Sequence, residues 1–383
     1  MKVFASLKRG VPPEKILEDL VPVLKQIVPQ ALDRFGTSIL QYSTPNKADF
    51  LGFVPLKEQI AKSLNIENPG RIIIGNGGMS VISWLVKLLQ SFRPGSTEIA
   101  VEAATYDRFL QLCAALGYQV AGVHFGDEGG INTDHLEKVL LNSDVGLFYQ
   151  NGHDQNPTGK RQILENVKAG AEICRKNNCL YLFDAPYREL HMERHETYLL
   201  PLDEEPFSEC CIFAGSFTKT IAPGLHCGYI VVPEWMLPLI NPRVACEQLN
   251  PVYFTQGIIA EAMIQEIYQD LTRRIRRDYV TPRALTFNIA TADFLSGANW
   301  TPLEGGYFGY IQFPGMDGPG AMIAETRSLG LEIDSGRGSI APDCHDHILR
   351  LGEPFRFPVV TNEPEIIMKA IGVMAKAWKE VRS

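Results

Sequence analysis

Short apolar segments alternate with helical patterns through the middle of the chain, and this alternation limits the possible folds more than any other feature. Segments typical of buried strands cover residues 71–74, 98–101, 119–123, 145–149, 179–183, 210–214 and 229–232. Helical patterns separate most of them, over residues 79–89, 106–116, 133–140 and 161–177. Strands joined by helices lie parallel, with helices on both faces of the sheet. The sequence therefore predicts an α/β domain with a mostly parallel seven-stranded sheet.

The pattern changes beyond Pro251, where the sequence becomes mainly helical over residues 255–292. Two strand-like segments, 305–313 and 346–351, and a final helix over 363–379 follow. This order predicts a second, smaller α+β domain, with which the N-terminal helix over residues 13–34 should pack. We therefore expect three parts: an N-terminal segment, 1–50, packed with the small domain; a large domain, 51–284; and a small C-terminal domain, 285–383.

Polar side chains follow four of the predicted strands. Tyr106, Asn156, Asp184 and Lys219 each come after a buried strand. Ligands of parallel sheets bind at the carboxyl ends of the strands, so these four side chains are expected to surround one site. A glycine-rich turn, residues 75–78, links another strand to a helix and can direct backbone N–H groups at a phosphate. By itself, a tight turn explains those glycines equally well.

Lys219 lies between two predicted strands, in the segment 215–229. Burial of a lysine lowers its pKa and makes the amine a nucleophile toward carbonyl groups. The hydroxyls of Ser216 and Thr218, close before it, are able to donate to an anion. Alone, the segment is also compatible with an exposed loop lysine flanked by turn-forming residues.

Charge and cysteine content narrow the function classes. The net charge of -8 does not favour nucleic acid as the main partner, and we interpret the arginine cluster over 273–277 as a solvated or interface helix face. The 8 cysteines include no Cys-x-x-Cys, which is typical of reduced thiols in a cytoplasmic protein. We find no apolar run of about 18 residues, so no membrane span is expected.

The Lys219 segment resembles the lysine motif of the aminotransferase class I/II family, whose members are fold-type I pyridoxal-phosphate (PLP) enzymes. That motif reads Ser-x-Ser/Thr-Lys-x-x-x-Pro-Gly-x-Arg-x-Gly, and residues 216–228 match it except that His226 replaces the arginine. Residues 156–159 and 184–190 resemble Asn-Pro-Thr-Gly and Asp-x-Pro-Tyr-x-Glu-Leu of the branch with 2-aminoadipate and aromatic aminotransferases. Tyr42, Gly52 and Leu56 also match family positions. The resemblance covers residues 36–375.

The resemblance implies PLP as the cofactor and a role for each matched residue. Lys219 would form the internal Schiff base and then act as general base. Asp184 would pair with the pyridine nitrogen, and Tyr106 would stack on the ring. Asn156 and Tyr187 would donate to the phenolic oxygen, with Asn156 also close to the substrate. The phosphate would be held by the residues of the glycine turn and the lysine segment, namely Gly77, Gly78, Met79, Ser216, Thr218 and His226.

Two further expectations concern residues outside this set. The family uses a C-terminal arginine for the substrate carboxylate, and Arg350 is the first choice here, with Arg356 as the second. In the family, the tyrosine that matches Tyr42 reaches the phosphate of the neighbouring subunit, which implies a homodimer with a shared active site.

Four residues of metal-binding type lie close together, but the family has no metal at this place, and we expect none: Asp343, His345, Asp346 and His347.

These inferences lead to one preferred function and two alternatives. The preferred function is a PLP-dependent aminotransferase acting on an α-amino acid. The first alternative keeps the cofactor but performs elimination, replacement or cyclisation at Cβ or Cγ, as in natural-product pathways. The second is a cofactor-binding protein without catalysis. The sequence does not identify the amino acid.

Overall fold

A computed structural model describes residues 3–8, 10–42, 51–126, 130–142, 144–192, 198–240 and 252–382. Its strands are β1 (Ala5–Ser6), β2 (Ile72–Gly75), β3 (Glu98–Glu102), β4 (Gln119–Val123), β5 (Val145–Asn151), β6 (Leu180–Asp184), β7 (Cys211–Ser216), β8 (Gly228–Val231), β9 (Asn299–Trp300), β10 (Phe308–Phe313), β11 (Leu331–Glu332) and β12 (Glu353–Pro358). Its α-helices are α1 (Glu14–Phe35), α2 (Val54–Leu64), α3 (Gly78–Lys87), α4 (Leu89–Phe92), α5 (Asp107–Ala115), α6 (Thr133–Asn142), α7 (Leu164–Lys176), α8 (Phe207–Cys210), α9 (Tyr253–Ile264), α10 (Ile267–Ile275), α11 (Thr281–Phe294), α12 (Gly320–Ser328), α13 (His345–Leu349) and α14 (Pro364–Arg382).

The central sheet has seven strands in the order β2-β8-β7-β6-β5-β3-β4. Strands β3 to β7 pair in parallel, and β8 runs antiparallel to both of its neighbours. Every residue of β5 and β6 is buried, as expected for strands covered by helices on both faces. The predicted α/β fold with a mostly parallel seven-stranded sheet is confirmed.

Two hydrophobic clusters cover the faces of this sheet. One contains side chains of α2, α7 and α9 together with Phe148 and Tyr181. The other contains side chains of α3 and α5 together with Leu147 and Tyr149. Neighbouring residues of β5 therefore point into opposite layers, because side chains alternate along a strand. This alternation directs Tyr149 toward the layer of α5.

The C-terminal part forms a smaller antiparallel sheet in the order β12-β10-β9, which packs with α11, α12 and α14 around a third cluster. The N-terminal segment contacts both parts of the chain. Strand β1 pairs in parallel with β11, whereas α1 packs against α9 in the core of the large domain. The helix therefore differs from the expectation that it packs with the small domain. The domain boundaries stay a prediction.

The segment 346–351 was expected to be a strand, and this prediction is wrong. Residues His345–Leu349 form the short helix α13, and the strand begins later, at Glu353. The apolar residues of the segment do not all belong to the core, since Ile348 is buried but Leu351 is 42% exposed. A strand inside a sheet would bury its apolar side chains more evenly.

Three structural observations concern membranes, thiols and metals. None of the helices within the described ranges is long and apolar enough to cross a bilayer. The described cysteines are free and buried: Cys113, Cys174, Cys179, Cys210, Cys211, Cys227 and Cys344. In the same part of the chain, no three histidine, cysteine or acidic side chains are grouped so that they could hold a metal ion.

Candidate active site

A cavity of about 320 Å³ opens at the carboxyl ends of β2, β5, β6 and β7. Most of the residues singled out in the sequence line it: Gly77, Gly78, Met79, Tyr106, Asn156, Asp184, Tyr187, Ser216, Thr218, Lys219 and His226. Asn76, Ser80, Ile82, Asn151 and Pro186 complete the wall. Residues far apart in sequence thus converge on one site, as the topology of the sheet requires.

One end of the cavity is formed by the glycine turn and the lysine segment. Gly77 has φ +92°, a conformation that favours glycine, and Gly78 begins α3. A Cβ added to Gly228 would lie 2.3 Å from the backbone nitrogen of Gly78, so β8 can lie this close to the turn only with a glycine at position 228. Ser216 faces Gly78, and its Oγ accepts a hydrogen bond of 3.2 Å from the Thr218 backbone N–H. The first N–H groups of a helix lack intrahelical partners, which makes this end an anion site.

His226 lies at the same end of the cavity. It has φ +42° directly after the 3₁₀ turn Pro223–Leu225, and its Nδ1 is 3.5 Å from the point where a Cβ on Gly77 would be. The histidine therefore lies beside the glycine turn and lines the cavity, and its contact with the phosphate stays a prediction. It offers fewer donors than a guanidinium and no fork-shaped pair of N–H groups.

Asp184 ends β6 and also lines the cavity. Its carboxyl is buried, which raises its pKa to about 6, although hydrogen bonds from Tyr149 and Asn151 act in the opposite direction. The Tyr149 hydroxyl donates to Asp184 Oδ2 at 2.8 Å. Asn151 Oδ1 accepts from the Asn156 backbone N–H at 2.8 Å, which ties the Asn156 turn to the end of β5.

Lys219 also lines the cavity and lies beside the aromatic ring of Tyr307. Its Nζ donates to the backbone oxygen of Gly10 at 3.4 Å and lies 5.3 Å from the centroid of the Tyr307 ring. Burial lowers the pKa of Lys219, and the positive charge of Arg356 lowers it further. The amine is therefore more readily deprotonated than an exposed lysine, which is what a nucleophile or general base requires.

Arg356 extends from β12 toward the same region. Its Nη1 donates to Asn156 Oδ1 at 3.4 Å and lies 3.7 Å from Asp107 Oδ1. The guanidinium carbon is 4.9 Å from the centroid of the Phe308 ring. The guanidinium and the amine of Lys219 thus belong to one electrostatic cluster.

Comparison with known proteins explains this arrangement. Residues 23–299 match the family model for aminotransferase class I and II. The chain belongs to this family. The 2-aminoadipate transaminase of Thermus thermophilus is 25% identical over 281 residues, which cover 73% of this chain and 68% of that protein. The aromatic-amino-acid aminotransferase 1 of Thermococcus litoralis is 25% identical over 386 residues, covering 98% and 88%.

The fold is also that of solved aminotransferases. The crystal structure of LysN, an α-aminoadipate aminotransferase of Thermus thermophilus, superposes with a TM-score of 0.81 at 21% identity and covers 98% of this chain and 92% of that one. That structure holds N-(5′-phosphopyridoxyl)-L-leucine. The superposition shows the fold, and the match to the family model together with the aminotransferase relatives confirms the predicted PLP-dependent aminotransferase.

The residues of this aminotransferase fit PLP. The N–H groups at the start of α3 can hold a phosphate, the buried carboxyl of Asp184 can pair with a ring nitrogen, and the amine of Lys219 can bond to an aldehyde. Tyr106 and Tyr187 line the same cavity, where each can contact the ring.

Two of the singled-out residues do not lie in the cavity. Arg350 is exposed and follows the last residue of α13, because the segment is helical rather than extended. Tyr42 is 78% exposed near the end of the N-terminal segment, and it does not contribute to the cavity of its own chain. Arg356, the second choice for the substrate carboxylate, is the arginine close to Asn156 and Lys219.

Sequence reasoning missed several residues of this site. Asn151 lines the cavity because β5 continues two residues beyond the predicted end at 149. Tyr149 donates a hydrogen bond to Asp184, and no local signal shows its direction, because every residue of β5 is buried. Gly10 and Tyr307 approach Lys219 from distant parts of the chain, and nothing local in the sequence indicates those contacts.

Proposed function

We propose that this aminotransferase acts on α-amino acids with aromatic or other apolar side chains. The observation that carries the proposal is the aromatic wall beside Lys219. The ring centroids of Tyr187 and Tyr307 are 5.7 Å apart, and those of Tyr187 and Phe308 are 6.2 Å apart. Apolar and aromatic side chains gain free energy by burial against such a surface.

The charges of the cavity support the same substrate class. Among the described residues that line it, the acidic and basic ones are Asp184, Lys219 and His226. Each has a place against the cofactor, so none of these three remains for a carboxylate at the far end of a substrate. An acidic substrate side chain would therefore lose hydration without gaining a partner among them.

Arg356 is the proposed binding residue for the substrate carboxylate. A guanidinium presents paired N–H groups that match a carboxylate, and this one lies over the Phe308 ring. Its contact with Asn156 Oδ1 places it beside the turn that follows β5. The substrate is thus held at its carboxylate while its Cα faces Lys219.

Lys219 is the proposed covalent anchor of the cofactor and the general base at the substrate Cα. Burial and Arg356 lower the pKa of Lys219, so a neutral amine can accept the Cα proton. When bound, PLP supplies the electron sink that makes this proton acidic. Asp184 would keep the ring nitrogen protonated, and Asn156 and Tyr187 would hold the phenolic oxygen.

We also propose a homodimer in which Tyr42 completes the phosphate site of the partner subunit. Tyr42 and Leu40 are exposed, and so are Val54, Val252 and Phe254 at the starts of α2 and α9, two helices that pack together. Exposed apolar side chains of this kind are typical of interfaces, which supports the arrangement. A cytoplasmic location is proposed because the described thiols are free and buried.

The experiment that tests the function is a screen of amino donors with the purified, PLP-loaded chain. Each L-amino acid is supplied with one 2-oxo acid acceptor, and the 2-oxo acid product is identified by mass spectrometry. We expect the highest kcat/KM with phenylalanine, tyrosine, tryptophan or leucine as donor. Higher kcat/KM with aspartate, glutamate or 2-aminoadipate than with every apolar donor would contradict the proposed substrate class.

A further inference from the structure

Tyr149 lies beneath the cavity, on β5, and is completely buried. Its hydroxyl donates to Asp184 Oδ2 at 2.8 Å. Its ring stacks on Phe109 of α5, with centroids 3.8 Å apart and an angle of 11° between the planes. The backbone of β5 and the stacked ring hold the phenol from two sides, so the direction of the donor is fixed.

This contact concerns the carboxyl of Asp184, which is proposed to pair with the pyridine ring of the cofactor. A tyrosine hydroxyl that donates to a carboxylate stabilises the ionised form relative to the protonated form. It also restricts the rotation of the carboxyl group, because one oxygen is held at a fixed point. Asn151 donates to the same carboxyl, so the two donors share the support of Asp184.

We propose that Tyr149 is a positioning residue for the cofactor, which holds Asp184 as an oriented carboxylate ready to pair with the pyridine nitrogen of bound PLP. The inference rests on the proposed role of Asp184. It extends the proposed function because it assigns a task to a residue that touches neither substrate nor cofactor.

The electrostatic surroundings of Asp184 agree with this role. Burial alone would favour the protonated acid, and the hydrogen bonds from Tyr149 and Asn151 oppose it, leaving the pKa at about 6. The ionisable groups that face Asp184 are the phenols of Tyr106, Tyr149 and Tyr187, whose pKa values are all raised, above all by burial. They stay neutral near pH 7, so hydrogen bonds rather than their charges support the carboxylate.

Glu102, on β3, reaches the same network through Asn151. Its Oε2 accepts from the Asn151 backbone N–H at 2.9 Å, and burial raises the pKa of Glu102 to about 8. The acid is therefore mostly neutral at pH 7 and does not add a second negative charge close to Asp184. The charge state of Asp184 thus depends on its burial and on its own two donors.

The test compares Tyr149→Phe with Tyr181→Phe. Tyr181 is a matched control, since it is also completely buried, lies on the neighbouring strand β6 and donates to the neutral amide oxygen of Gln150. PLP affinity of the full chain is measured by equilibrium dialysis as a function of pH. Tyr149→Phe should move the acid limb of the affinity curve up by about one pH unit, which is about tenfold weaker binding on that limb.

The control variant Tyr181→Phe distinguishes a positioning role of Tyr149 from a general destabilisation of the sheet. Tyr181→Phe should leave the acid limb in place. The inference fails if the limb of Tyr149→Phe superposes on that of the wild type, or if both variants shift equally. The readout uses no amino acid, so a wrong substrate class leaves the outcome unchanged. If Asp184→Asn retains wild-type affinity and pH dependence, the proposed role of Asp184 is wrong, and the inference falls with it.

A second variant keeps the test decisive should Tyr149→Phe not fold. Site-specific incorporation of a fluorinated tyrosine at position 149 preserves the shape of the ring and makes the phenol a stronger donor. The acid limb should then move in the opposite direction, to lower pH, because the carboxylate is stabilised further. An unchanged acid limb in the fluorinated protein would overturn the inference.

Discussion

Replacement of Arg356 is the perturbation whose size follows most directly from the structure. The side chain is 19% exposed, lies over the Phe308 ring and has Asn156 Oδ1 within 3.4 Å. A hydrogen bond to a charged group contributes about 1.5–3 kcal/mol, and a paired guanidinium makes two. Water that enters the vacated space replaces part of this interaction. Arg356→Ala should therefore weaken transition-state binding by about 3 kcal/mol, which lowers kcat/KM for the amino donor about a hundredfold.

The assay is steady-state transamination at saturating acceptor, with Arg350→Ala as the matched control. Arg350 is exposed at the end of α13, so its replacement should change kcat/KM by no more than about twofold. Arg356→Lys, which keeps the charge but loses the paired donors, should lie between the wild type and Arg356→Ala. A loss in Arg350→Ala equal to that in Arg356→Ala would refute the assignment of the carboxylate site to β12.

The pH dependence of activity in the same variants tests the electrostatic effect of Arg356 independently, because the direction of its shift is predicted. The positive charge of Arg356 lowers the pKa of Lys219, so Arg356→Ala should raise that pKa. A general base acts in its neutral form, and Lys219 is released as a free amine only once the substrate is bound, so the ascending limb of kcat should move to higher pH. Arg356→Lys retains the cation and should leave this limb unchanged. A shift to lower pH in Arg356→Ala would contradict the electrostatic argument.

Three further outcomes follow from the cavity. His226→Arg should tighten PLP binding about tenfold by restoring paired donors, and equal affinity in a dialysis titration would show that His226 does not reach the phosphate. Gly228→Ala should lower stability by about 1–3 kcal/mol in urea unfolding, since the added Cβ would lie 2.3 Å from Gly78, whereas Gly224→Ala meets nothing within 4 Å and should be tolerated. Light scattering should give twice the 42.6-kDa chain mass, and a monomer at micromolar concentration under active conditions would rule out a role for Tyr42 in the partner's site.

The sequence predicted the sheet because its strands consist of uninterrupted apolar residues. The strand that leads to Asp184 and the one that leads to Lys219 are both buried on two faces, and no other element type fits such short apolar segments between helices. The polar residues at the ends of these strands could then be assigned to one site from the sequence alone. Family resemblance added the chemical role of each residue.

The remaining features depend on contacts between distant parts of the chain. Arg350 was preferred over Arg356 because the segment 346–351 was interpreted as the strand that carries the family arginine, whereas residues His345–Leu349 form a helix. The helix α1 was expected beside the small domain, but it packs against α9, and its own sequence does not identify that partner. The support of Asp184 by Tyr149 needs the position of α5, which no local pattern provides.

The central claim is that Lys219 carries the cofactor. Borohydride reduction of the PLP-loaded chain, followed by proteolysis and mass spectrometry, locates the modified lysine directly. The account predicts a pyridoxyl group on the peptide that contains Lys219, and its absence from the same peptide in Lys219→Ala. Lys160, which also has a pKa lowered by burial, is the natural internal comparison. Modification of Lys160 or of another lysine, with Lys219 unmodified, would contradict the account.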